Sequence, residues 1–169
     1  MIGKVKKWME RHGMVLPGDT VIAACSGGPD SVALTDVLFR LREALNFQLV
    51  VAHVNHMIRG AEAEEDAVFV AAFCEERGIP FRRADLDVPA FARAAGRSMQ
   101  DAARVLRYSF LAEVSAGMGR AVIATGHHRD DQAEPVLRNL LRGAGSGGLR
   151  GMLPAANGII RPLLDVSRG

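Results

Sequence analysis

Residues 21–31 read Val-Ile-Ala-Ala-Cys-Ser-Gly-Gly-Pro-Asp-Ser, and no other stretch limits the fold so sharply. A short apolar run passes straight into a glycine pair, and an apolar-periodic stretch follows over 32–45. That order is strand, tight loop, helix start. Amides at such a helix start lack intrahelical partners and point outward, so the place favours an anion. Gly27 and Gly28 remove side chains where a phosphate must approach the backbone closely. Ser26 and Ser31 offer hydroxyls, and Asp30 adds a carboxylate. A carboxylate beside a phosphate makes chemical sense mainly with a cation such as Mg²⁺ between them, which marks Asp30 as the metal-side candidate. The loop lacks the Lys and the spacing of a Walker-type phosphate loop. A plain tight turn with Asp30 as N-cap is the competing reading. The whole hexapeptide between a strand and a helix favours a nucleotide site.

Apolar strand-like runs recur along the chain at 21–25, 47–54 and 121–125, with a weaker one at 80–86 and a short one at 158–160. Helical patterns lie between them at 30–45, 61–77, 98–116 and 130–141, and another at 2–11 precedes them. Gly78 is placed to stop the helix that ends at Arg77. The alternation predicts an α/β fold: a doubly wound, mostly parallel five-stranded sheet with helices on both faces. Ligands in such folds sit outside the carboxyl ends of the strands, and every unusual motif here falls at such an end.

The 169 residues suffice for a single domain with a proper core; a chain of this size buries roughly 70% of its unfolded surface. A 49% hydrophobic, 24% charged composition with net charge +2 is that of an ordinary globular protein, compatible with a nucleic-acid partner without demanding one. No apolar run is long enough to span a bilayer, so no membrane partner is expected. Met1 to Arg11 has no signal-peptide apolar core, and a cytoplasmic location is expected. Cys25 and Cys74 form no CxxC pair and read as small buried thiols. Residues 143–151 are glycine-rich, and the chain stops at Gly169 without a capping element, like a domain cut from something longer.

Four further clusters suit chemistry. The second strand runs into His53-Val54-Asn55-His56-Met57-Ile58-Arg59-Gly60, whose imidazoles, amide and guanidinium suit a phosphate, a ribose or a base edge. His53 as a satisfied strand-end histidine and Arg59 as a solvent-facing charge stand equally beside that reading. The third candidate strand runs into Gly126-His127-His128-Arg129-Asp130-Asp131-Gln132-Ala133-Glu134. On a helix starting near Arg129, Asp130, Asp131 and Glu134 share a face and suit Mg²⁺ or an ammonium substrate. Acids in a first helical turn also simply complement the dipole. The preceding His127 and His128 favour function, because imidazoles titrate near neutrality and act as acid, base or phosphate donor. Arg104, Arg107 and Tyr108 fall at helical spacing and suit an anion- or RNA-facing edge, although Asp101 makes a solvated ion-pair face the plainer reading. Arg138, Arg142 and Arg150 flank the glycine-rich segment and suit a phosphate-contacting loop, or a helix C-terminus followed by a plain connector, with the first reading slightly favoured.

Together these residues resemble one family closely. Ser26–Ser31 is similar to the pyrophosphate-loop signature of the N-type ATP pyrophosphatases. His53-Val54-Asn55-His56 with Arg59-Gly60, Ala103-Arg104 with Arg107-Tyr108, Gly126-His127-His128 with Asp130 to Glu134, and Leu141-Arg142-Gly143 through Gly151-Met152 resemble the tRNA(Ile)-lysidine synthetase family. The resemblance covers the chain from the first strand to Leu164. It implies a Rossmann-like domain of the adenine nucleotide alpha hydrolase type, without the family's C-terminal tRNA-binding domains. It implies ATP and Mg²⁺ as cofactors, and as partners free L-lysine and a tRNA(Ile) with a CAU anticodon; it also allows a homodimer. The reaction it implies is adenylation of the C2 oxygen of the wobble cytidine by ATP with loss of pyrophosphate, then attack of the lysine amine on C2 with departure of AMP. By resemblance Ser26, Gly27, Gly28, Pro29, Asp30 and Ser31 hold the phosphates, with His53, Asn55 and Arg104 as further nucleotide contacts. Asp30, His127, His128, Asp131 and Glu134 are the catalytic candidates, the last two orienting the lysine ammonium. Pro135 departs from the family's usual Thr, so the helix starts late or the carboxylate geometry is altered. The rivals are another tRNA-modifying enzyme of the same superfamily, such as a thiolase, a glutamine-fed amidating enzyme, and a non-catalytic ATP-binding module.

Overall fold

A computed structural model describes residues 1–132 and 151–167. Helix α1 spans Ile2–Arg11, and strand β1, Thr20–Ala24, follows. Helix α2 is Pro29–Leu41, β2 is Gln48–Asn55, α3 is Ala61–Arg77 and β3 is Phe81–Asp85. Helices α4, Val88–Ala95, and α5, Met99–Ser115, precede β4, Ala121–Ala124. A 3₁₀ turn at Arg129–Gln132 and two short strands, β5 (Ala155–Ala156) and β6 (Ile159–Ile160), complete the described residues.

The sheet order is β3-β2-β1-β4-β6-β5. Every pair is parallel except β5 with β6. The doubly wound α/β reading therefore holds, with six strands among the described residues instead of the expected five. The extra strand is the two-residue Ala155–Ala156, too short and too plain to show as a sequence pattern. It pairs with Ile159–Ile160 through Asn157, at φ +51°, and Gly158, at φ +76°. Helix α4 also went unforeseen; Asp87 caps it by accepting from the Ala90 amide at 2.8 Å, and a proline occupies its first turn. Gly78 does end α3, in a left-handed C-cap.

β1 is central, so its side chains meet packed layers on both faces, and after Thr20 its run is apolar rather than alternating. Val21 and Ala23 face one layer, built with Leu34 and Leu38 of α2 and Val70 of α3. Ile22 and Ala52 face the other, against Leu111 of α5. The chain leaves β1 for β2 and β3 on one side and returns for β4 on the other. The tips of β1 and β4 thus flank a topological switch point, where open α/β sheets place ligands. No helix among the described residues is long and apolar enough to cross a membrane.

Candidate functional site

The loop after β1 is held by its own side chains. The Ser31 hydroxyl accepts from the Ser26 amide at 3.1 Å and donates to the Gly28 carbonyl at 2.8 Å. Its Oγ also lies 3.3 Å from Ser26 Oγ. Gly28 is the N-cap of α2 in an extended conformation, and no side chain caps the helix. The leading amides of α2 are thereby left for a ligand. Gly27 has φ +91°, and a Cβ there would sit 2.9 Å from Asp66 Cβ of α3. A Cβ on Gly126 would sit 3.3 Å from the backbone of Asp30 and Ser31, so the tip of β4 lies directly against the start of α2.

A cleft of about 300 Å³ opens at this place. One wall is apolar: Ala24, Ala52, Val54, Tyr108 and Leu111. The other is polar: Ser26, Gly28, Asp30, Ser31, His56, Arg107, Thr125 and His127. Apolar side chains together with amides and a guanidinium in one cleft suit a base and phosphates. The loop after β1 and the histidine of β4's tip, far apart in sequence, therefore share one cleft.

His128 is buried at the foot of this arrangement. Its Nε2 lies 3.5 Å from Asp30 Oδ2, and its Nδ1 lies 3.5 Å from Asp131 Oδ2 and 3.8 Å from Asp130 Oδ2. Asp131 also accepts from the His128 amide at 2.9 Å, which ties the turn together. The turn is anchored from outside: Arg129 donates from its amide to the Val166 carbonyl at 2.9 Å, and its guanidinium lies 3.2 Å from Asp165 Oδ1. Asp165 in turn holds Lys4 of α1 at 3.1 Å.

His53 and Asn55 are more tightly bound to protein than an exposed ligand contact would be. His53 Nδ1 lies 2.8 Å from the Cys25 carbonyl, which can only accept, so Nδ1 carries the proton. Asn55 Oδ1 accepts from the Met57 amide at 2.8 Å and shapes the loop after β2. Both line a second cavity of about 280 Å³ that shares Ser26, Val54 and His56 with the first. Arg59 there pairs with Asp66 at 2.9 Å. Arg104 is exposed, with its guanidinium 5.9 Å from the Tyr108 ring; the cleft wall takes Arg107 and Tyr108 instead. Glu134, Pro135, Arg138, Arg142, Arg150 and nearly all of the expected helix at 130–141 lie outside the described residues; its first residues form the 3₁₀ turn. Thr125, whose Oγ1 lies 2.9 Å from His127 Nδ1, and Arg161 escaped the sequence reading; each merely follows a short strand.

Three histidines are held below the ordinary imidazole range, each chiefly by burial. Arg83 opposes protonation of His53, Arg107 that of His56, and Arg161 and Arg107 that of His127. In the unfolded chain all three titrate near 6.5. Folding therefore favours their neutral forms, a stabilisation fully present above that pH and lost as pH falls through the lowered native values. Thermal melts should show Tm falling between pH 7 and pH 5.5, and His53→Gln should flatten that decline. A Tm independent of pH across this window would contradict the assignment.

Cys25 and Cys74 are both buried, and burial pushes the Cys74 thiol up to about 11. Among the described residues no group of three or more His, Cys, Asp or Glu is arranged to hold a metal on its own. Asp30 still fits Mg²⁺, which is ordinarily held by one or two carboxylates with substrate phosphates and water.

Residues 3–169 match the PP-loop domain family. The chain is 46% identical to a tRNA(Ile)-lysidine synthase of Geobacillus kaustophilus, over 99% of this chain and 37% of that protein. It is 45% identical to one from Symbiobacterium thermophilum, over 99% of this chain and 36% of that protein. It thus spans a little over a third of the length of these relatives. Among solved structures it is similar to the U34-tRNA thiolase NcsA from Methanococcus maripaludis with its [4Fe-4S] cluster, at TM-score 0.73 and 24% identity, over 98% of this chain and 58% of that one. That likeness concerns the fold.

Proposed function

The chain belongs to the PP-loop domain family, and from that premise we propose that it is the ATP-activating part of a tRNA(Ile)-lysidine synthase. The observation that carries this reading is the convergence of the loop after β1 with the tip of β4 on one cleft. Sequence identity to lysidine synthases over nearly the whole chain supports it.

In this reading the apolar wall takes adenine, and the amides and hydroxyls of residues 26–31 take the β- and γ-phosphates. The wobble cytidine O2 attacks the α-phosphorus; that O–P bond forms as the bond to the leaving pyrophosphate breaks. The amine of free L-lysine then attacks C2, and the C2–O bond breaks with AMP as leaving group. Mg²⁺, held by Asp30, would neutralise charge developing on the departing pyrophosphate. Arg107 supplies a fixed positive charge to the same oxygens. His127, neutral and oriented by Thr125, presents its other nitrogen as donor or acceptor near the phosphoryl group. His128 positions Asp30 from behind. Asp131 holds the turn through the His128 amide, and with Glu134 it is the proposed receiver of the lysine ammonium.

The test is AMP and pyrophosphate release from ATP with the RNA and lysine each omitted in turn. It is run on this chain and on a chimaera carrying the C-terminal two thirds of the Geobacillus relative. Lysidine formation by the chimaera, dependent on both additions, is expected. AMP release indifferent to lysine but dependent on sulfide would favour a thiolase. ATP binding without AMP release in any combination would leave a binding module.

A further inference from the structure

Arg161 follows β6 at the same sheet edge as Thr125, Gly126 and His127. β4 and β6 are parallel neighbours, with Ala124 opposite Ile160 and the Thr125 amide donating to the Ile160 carbonyl at 3.1 Å. The backbone of Arg161 is pinned on both sides. Its amide donates to the Pro154 carbonyl at 2.8 Å, and its carbonyl accepts from the Trp8 indole at 3.4 Å. The guanidinium is only partly occupied. One arm donates to the Leu153 carbonyl at 2.7 Å, while Nε is buried with no partner among the described residues. Burying a guanidinium donor without an acceptor is costly, so such a group is normally completed by something.

Arg59 and Arg129 sit against Asp66 and Asp165, but among the described residues no carboxylate lies within 4.0 Å of Arg161. Its field reaches His127, where it opposes protonation together with Arg107 of α5; only Asp131 pulls the other way. A neutral imidazole in the field of two guanidiniums, neither of them ion-paired among the described residues, is a setting complementary to an anion.

We propose that Arg161 is a nucleotide-binding residue whose guanidinium takes a non-bridging oxygen of the α-phosphoryl group, the one that stays with adenosine. This rests on the nucleotide reading of the cleft. The loop at residues 26–31 serves the leaving pyrophosphate. Once that group departs, the adenylate needs a cationic contact independent of the loop. Arg161 and His127 supply it from the opposite edge of the switch point.

The experiment is calorimetric titration of ATP, AMP and inorganic pyrophosphate, separately, into the wild-type chain, Arg161→Met and Arg161→Lys. Loss of a charge-assisted hydrogen bond predicts a Kd for AMP and ATP raised about tenfold or more in Arg161→Met. Pyrophosphate should bind within about twofold of wild type, because the lost contact is to the other phosphoryl group. Arg161→Lys should fall between, since lysine keeps the charge and loses the planar fork. Unchanged AMP affinity in Arg161→Met overturns the proposal. So does an equal loss for all three ligands accompanied by a lowered Tm, which would make Arg161 a structural residue. If the wild-type chain binds none of the three, the nucleotide reading itself falls; if it binds them and Arg161→Met behaves identically, only the role of Arg161 falls.

Discussion

Asp30→Asn is expected to lower AMP formation by about 10³-fold or more, the scale at which removal of a charge-stabilising group at a reacting centre is felt. Asn keeps the shape of the side chain and removes its charge. That charge stands in the first turn of α2, beside the amides that are left for phosphate, and 3.5 Å from His128 Nε2. Its cost to the fold should be small. Complementing a helix dipole contributes about 0.3–1 kcal/mol, and about 1 kcal/mol moves Tm by only about 2–4 °C at this chain length. ATP affinity should fall much less than turnover. A contact through Mg²⁺, were the ion held by Asp30 as proposed, would gain strength mainly as charge accumulates on the leaving pyrophosphate. Single-turnover AMP release, read beside a melt and an ATP titration, checks all three expectations. Near-normal turnover in a folded Asp30→Asn chain would remove the residue from the mechanism. A collapse of Tm would instead recast it as structural.

The parts of the fold that were legible are those where one stretch of sequence decides its own structure. β1, the glycine loop and α2 are contiguous, and burial of β1 on both faces writes itself as an unbroken apolar run. The sheet's outer edge was poorly legible because Ala155–Ala156 and Ile159–Ile160 are too short for any period to show. α4 was missed because its eight residues sit between two stronger signals and its cap, Asp87, reads like any loop acid. At the site, the sequence leaves His53 open between a ligand contact and a satisfied strand-end histidine, and Arg104 between an anion contact and a solvated ion-pair face. For His53 the structure shows a partner that no local pattern discloses, the Cys25 carbonyl just beyond β1, while Asn55 accepts from its own loop's Met57 amide in a local turn. Arg161 was invisible for the converse reason. An arginine after two isoleucines has no signature until β6 is seen beside β4.

The two loop glycines should separate folding from binding. Gly27 stands at φ +91°, where a side chain is strained, and a Cβ would meet Asp66 Cβ at 2.9 Å. Asp66 cannot retreat cheaply, because the near atom is its own Cβ on helix α3 and its carboxylate is paired with Arg59. Strain in this backbone region costs about 1–3 kcal/mol, so Gly27→Ala should lower Tm by roughly 2–12 °C and weaken ATP binding as the loop shifts. Gly28 differs. Its backbone is extended at φ −70°, and a Cβ would meet only Ser26 Oγ at an ordinary 3.7 Å. The ligand-free fold therefore tolerates Gly28→Ala, and Tm should stay within about 2 °C. Any phosphate seated on the amides of α2 would nevertheless meet the new methyl group. ATP and pyrophosphate affinity should then fall by about tenfold or more, on the scale of a lost charged hydrogen bond. Melts and pyrophosphate titrations of the two variants check the contrast. If Gly28→Ala binds pyrophosphate as wild type does, the phosphates do not lie on this loop, and the cleft's polar wall serves another ligand.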